Sequence, residues 1–196
     1  MALESLKRQI QRLVLAALFL SMGMVLPFFT GQIPQIGNML LPMHLPVLLC
    51  GLVCGSRWGA VVGFVVPLLR GMLFGMPPLF PAGLAMAFEL MTYGLVVGVL
   101  YSRSKWKCVV ALYRALIPAM IAGRLVWGAV RVILTGVGGE AFTWAMFLSG
   151  AFFTAIPGII LQLVFIPIMM VSLGKAKMVP FHSHRHLYQE QHVHHE

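Results

Sequence analysis

Charged residues are scarce in the apolar stretches of this chain, and four that occur there, Arg70, Glu89, Arg124 and Arg131, are the groups best placed to do chemistry. Ionisable groups at membrane depth are costly and face a partner or a cavity. Arg124 and Arg131 are seven residues apart, which sets both on one helical face, and Trp127 lies between them, three residues after Arg124. Arg70 is near the end of one apolar stretch, and Glu89 is about two turns into the next from the same side. At about 1.5 Å per residue their depths are similar, so the two are expected to pair. Gln32, Asn38 and His44 come from the segment that leads into the same end. With Arg70, Glu89, Arg124, Trp127 and Arg131, and Trp144 as a further candidate, they compose a polar pocket for a small ligand. Three arginines against one glutamate leave a positive excess, which favours a carboxylate or phosphate on that ligand.

A structural reading of the same residues stands beside this one. Arg70 and Glu89 would simply neutralise one another, Arg131 would snorkel to headgroups, and Arg124 would bind backbone carbonyls. Trp127 and Trp144 would then be interfacial anchors. Arg114, near the opposite end of its stretch, reads as a snorkelling residue in either case.

Catalysis finds no support. The chain has no Asp, no Gly-x-Ser-x-Gly, no His-Glu-x-x-His and no Gly-Lys-Ser/Thr phosphate loop. No catalytic residue, resident metal or cofactor is expected, and the chain does not hydrolyse ATP itself. Cys50, Cys54 and Cys108 read as reduced, small apolar residues. The tail carries His182, His184, His186, His192, His194 and His195. Such a tract can hold a divalent metal through imidazole, and its expected role is opportunistic contact by a flexible segment.

These residues must be positioned by helices in a membrane. Sixty per cent of the residues are hydrophobic and only 10% charged, too few to clothe a soluble core of 196 residues. Six stretches qualify as spans, roughly 11–29, 42–55, 59–75, 81–101, 109–134 and 143–173, within an all-α bundle formed by residues 1–177. The His-rich tail, 178–196, follows it. The first stretch has no small-residue cleavage site and is expected to stay as a helix. Lys7, Arg8 and Arg12 precede the first stretch, and Arg57 lies between the second and third. Arg103, Lys105 and Lys107 separate the fourth and fifth, and Lys175 and Lys177 follow the sixth. The alternate connections 30–41 and 76–80 carry no charge, and 135–142 only Glu140. That alternation places both termini in the cytoplasm and accounts for the net charge of +9 without nucleic acid. The outer segment from Thr30 to Leu41 is expected to fold back as a lid.

Ala17 and Ser21, with Ala16 and Gly23 adjoining, form a small stripe at one-turn spacing, which lets another helix approach closely or packs within the bundle. Beside it stand Leu40-Leu41-Pro42-Met43-His44-Leu45-Pro46-Val47 followed by Gly51 and Gly55, then Pro67-Leu68-Leu69-Arg70 and Glu89-Leu90-Met91-Thr92-Tyr93-Gly94. Over nearly its whole length the chain resembles the substrate-binding S components of energy-coupling factor (ECF) vitamin transporters. That resemblance implies a multi-pass subunit of a prokaryotic plasma membrane that captures a vitamin or related micronutrient from outside. It also implies docking on a transmembrane coupling subunit driven by two ATPase subunits, which use the ATP. The family's Ala-x-x-x-Ala-like docking surface on helix one maps onto Ala17 and Ser21, with Ser departing from the pattern. Two other functions are compatible with the residues: a membrane-embedded structural or assembly protein, in which the inner arginines hold helices together, and a divalent-metal permease that uses the His-rich tail.

Overall fold

The computed structural model describes residues 2–30, 42–137 and 155–176, and all regular structure among them is helical. Helix α1 runs Ala2–Val25 and ends in a tight 3-10 turn, Leu26–Thr30. It begins nine residues before the apolar stretch because Glu4, Lys7, Arg8 and Arg12 ride on its exposed first turns. Then come α2, His44–Cys54, and α3, Ser56–Phe74. A wide turn over Leu79–Gly83, with Phe80 extended, feeds α4, Leu84–Arg103. Helix α5 spans Val109–Val137 and α6 spans Ile156–Lys175. The lid segment 31–41, the start of the sixth expected stretch at 143–154, and the tail from 177 lie outside the described residues.

Five helical stretches among the described residues are long and apolar enough to cross a membrane: Glu4–Phe29, Ser56–Phe74, Leu79–Arg103, Val109–Gly136 and Ile156–Lys175. The expected second span is different. Helix α2 has 11 residues and rises only about 16 Å, against a hydrocarbon core of about 30 Å. It is also buried on nearly every face, from His44 through Leu52 and again at Cys54. A helix apolar all round belongs inside protein rather than against lipid, and one enclosed by its neighbours need not match the bilayer in length. Helices α1, α3, α4 and α6 all pack against α2. Cys50 and Cys54 are buried there as free thiols.

Glycine sets how closely α2, α3 and α4 approach. A Cβ at Gly94 of α4 would fall 2.2 Å from the Gly59 carbonyl oxygen, and one at Gly63 of α3 would fall 2.3 Å from the Leu90 carbonyl oxygen. On α2, a Cβ at Gly51 would meet the Gly94 oxygen at 2.6 Å. These backbones touch directly, which is how helices gain dispersion energy where no hydrophobic force drives them together. The outward faces carry large apolar side chains: Leu13, Val14 and Leu18 on α1, Leu125, Val132 and Ile133 on α5, and Ile160, Val164 and Ile168 on α6.

Gly94→Ala is expected to destabilise the fold by at least about 2 kcal/mol, because backbone, unlike a flexible side chain, cannot move aside. Gly136→Ala, where an added Cβ meets open space, is expected to be neutral or slightly stabilising. Thermal denaturation of both variants in detergent checks the contrast.

Candidate functional site

Glu89, in the second turn of α4, is fully enclosed, and its carboxylate is the centre of a polar cluster drawn from three helices. Arg124 of α5 places Nη1 3.0 Å from Glu89 Oε1, and His44, the first residue of α2, places Nε2 3.5 Å from the same oxygen. Relative exposures are 1% for Glu89, 1% for His44 and 5% for Arg124, so the whole set is out of water. At 3.0 Å the Arg124 contact is a close ion pair, whereas 3.5 Å is long even for a hydrogen bond and makes His44 the weaker partner. Tyr93, one turn beyond Glu89 on the same helix, is buried as well. Its ring stands edge-on to His44 at 5.2 Å between centroids. Gly123 makes room for that ring, since a Cβ there would lie 2.4 Å from Tyr93 Cε1.

The arginine has capacity left over. A guanidinium carries five donors, and Arg124 Nε and Nη2 are buried with no hydrogen-bond partner among the described residues. Buried donors are costly when unmet, by about 1–3 kcal/mol each. Such a group favours an acceptor that arrives with a ligand or an ordered water.

The expected Arg70–Glu89 pair does not form. Arg70 is buried, but its Nη1 donates to the Met24 carbonyl of α1 at 2.8 Å, and its guanidinium lies over Phe28 at 5.0 Å and Phe74 at 5.5 Å. The reason is register. The glycine contact brings Gly63 opposite Leu90, so Arg70, seven residues further along α3, stands about 10 Å beyond the level of Glu89. Counting residues from the span ends misplaced it, because Leu79–Gly83 is a wide turn and not a turn of regular α-helix.

Trp127 and Arg131 are both half-buried, one and two turns along α5 from Arg124, with the Arg131 guanidinium 5.9 Å from the Trp127 ring. The structure thus joins His44, Glu89 and Arg124, sets Arg70 in a separate aromatic seat, and pairs Trp127 with Arg131. Gln32, Asn38 and Trp144 lie outside the described residues. On α1, Ala17 and Ser21 are exposed while Ala16, Phe19 and Gly23 face inward, and Ser21 satisfies its hydroxyl on the Ala17 carbonyl at 2.9 Å. Sequence reasoning missed Tyr93 and Gln162. Tyr93 sits at the i+4 position from Glu89, which helical spacing alone could have flagged. Gln162 is a single polar residue inside the apolar run of α6; it is buried, and its Nε2 has no partner among the described residues.

Comparison with known proteins gives one match of family scope. The family described as ECF transporter, substrate-specific component, matches residues 11–170. No curated protein and no solved structure matches the chain.

Arg124→Gln leaves the Glu89 carboxylate buried without its guanidinium and is expected to cost about 3 kcal/mol of stability. Adding Glu89→Gln removes the stranded charge, so the double variant is expected to recover at least half of that loss. A double-mutant cycle read by thermal denaturation decides the matter, and strict additivity would show that the pair is not coupled.

Proposed function

This chain belongs to the substrate-specific components of ECF transporters, and from that membership we propose that it captures a vitamin or related micronutrient at the outer face of a prokaryotic plasma membrane. In this reading the bundle crosses the membrane six times with both termini in the cytoplasm. The chain docks on a transmembrane coupling subunit and two ATPase subunits, which supply the energy. The charge alternation along the sequence supports that orientation.

The observation that carries the proposal is the enclosed Glu89–Arg124–His44 cluster, with two Arg124 donors unmet among the described residues. A cluster that only held helices together would gain by spending those donors on backbone carbonyls, as Arg70 does on Met24. Glu89 neutralises one guanidinium, so an incoming carboxylate or phosphate would find hydrogen-bond donors of Arg124 there. Gln32, Asn38 and Trp127 complete the proposed pocket from the outer side. Ala17 and Ser21 present small side chains on the exposed face of α1, where a partner helix can approach closely.

Thermal stability of the purified protein against a panel of vitamins, their precursors and divalent metals tests the capture reading. A true substrate at 100 times its Kd is expected to stabilise the fold by about 2.7 kcal/mol. Arg124→Lys, which keeps the charge but loses the fork of donors, is expected to remove most of that gain. No response to any vitamin, or a response to metal alone, would favour the structural or metal-handling readings instead. For docking, Ala17→Trp combined with Ser21→Trp is expected to leave the substrate-induced shift intact. The same variant should abolish co-purification with the coupling subunit and ATPases, and unchanged co-purification would remove α1 from the interface.

A further inference from the structure

The Glu89 cluster is closed to solvent: Glu89 and His44 are each 1% exposed, and Arg124 5%. On the capture reading, a ligand reaches it only if some element moves aside. Helices α2, α3 and α4 are ill suited to that, since their backbones touch at Gly51, Gly59, Gly63 and Gly94. Helix α6 is different. It packs against α2 and α5, the helices that carry His44 and Arg124, and turns Ile160, Val164 and Ile168 to the surface. Its depth is fixed by a hydrogen bond between Tyr113 of α5 and Leu163. With α5 and α6 antiparallel, as six crossings require, residues 156–163 lie beside α5 between Tyr113 and Arg124. Helical side chains lean toward the N-terminus of their helix, so Arg124 leans back toward that stretch.

Two features make this part of α6 a movable unit. Pro167 stands inside the helix. It has no amide hydrogen, so the carbonyl of Leu163, four residues earlier, loses its helical donor and the helix can bend there. The Tyr113 hydroxyl takes the place of that donor, at 3.0 Å from the Leu163 oxygen. The hinge and the contact that restrains it therefore meet at one carbonyl. The second feature is Gln162, the residue before Leu163. It is 1% exposed, and its Nε2 has no hydrogen-bond partner among the described residues. An unmet buried donor penalises the closed arrangement, and the penalty is relieved when the segment swings out and water enters.

We propose that residues 156–166 form a gate to the Glu89 cluster, hinged at Pro167, held shut by the Tyr113–Leu163 hydrogen bond and biased toward opening by Gln162. A swing of about 20°, the size of bend that proline admits, acts on a lever of about 6 Å at Leu163 and displaces its carbonyl by about 2 Å. That is enough to break the bond. The same swing carries Ile156 by about 6 Å, which opens the flank of α5 near Arg124. The purpose of the gate rests on the capture reading; its mechanics do not.

Spin-label distances in lipid nanodiscs test the gate without any ligand. In a background with Cys50, Cys54 and Cys108 changed to Ala, one pair joins Ile156→Cys to Val61→Cys on α3. A control pair joins Ser172→Cys, beyond the hinge, to the same α3 position; all three sites are exposed. The outer pair is expected to show a minor second distance, a few Å from the main one. Tyr113→Phe should raise the population at that distance roughly fivefold, and Gln162→Leu should lower it by a similar factor. Pro167→Ala restores a helical donor to Leu163 and should make Tyr113→Phe silent. The control pair should keep one distance throughout. A single outer distance in every variant, or a control distance that changes in step with the outer one, would overturn the gate. Because no ligand enters, a silent vitamin panel tests the capture reading separately.

Discussion

A carboxylate enclosed by apolar helices must keep a cation beside it or give up its charge, and in this bundle that requirement is met by bringing Arg124 to 3.0 Å from Glu89. The pair joins α4 to α5, and His44 adds α2 at the same carboxylate oxygen. Three helices are therefore committed to one carboxylate. Beginning at His44, helix α2 delivers its first side chain to the cluster. Burial on all sides is what lets such a short helix persist at that depth.

The pair is only as well placed as the backbones beneath it. Gly59, Gly63 and Gly94 bring α3 and α4 into direct contact, Gly51 does the same for α2 and α4, and Gly123 admits the Tyr93 ring against α5. Close approach fixes the register of these helices to within a residue, because backbone cannot yield as side chains do. Register then decides which charges meet. With Gly63 opposite Leu90, Arg70 lies beyond reach of Glu89 and finds the Met24 carbonyl and two aromatic rings. The glycine ladder thus determines both the neutral pairing at Glu89 and the separate seat of Arg70.

Much of this was legible in the sequence, and what was not has identifiable causes. Helical class and the helix positions were readable because lipid admits few charges and no unsatisfied backbone, so apolar length carries the signal. The buried cluster was readable in part for the same reason: Glu89, Arg124 and His44 are conspicuous where charge is costly. The partner of Arg70 was not readable, since depth inferred by counting residues assumes regular helix up to the turn. Leu79–Gly83 breaks that assumption. The close contacts of Gly51, Gly59, Gly63 and Gly94 leave little trace in hydropathy, which weighs side chains and these residues have none. Gln32, Asn38 and Trp144 lie outside the described residues, so their side chains add nothing to the comparison.

Helix α1 connects the polar interior with the lipid-facing surface. Its inner face is held in place, with Phe19 in the core, Gly23 against Val66, and Met24 bound through its carbonyl by Arg70. Its outer face presents Ala17, Ser21 and aliphatic side chains with no charge until Arg12. On this geometry the inner face of α1 is fixed by core packing and by the Arg70 hydrogen bond, while its outer face carries only small and aliphatic side chains between Arg12 and Val25.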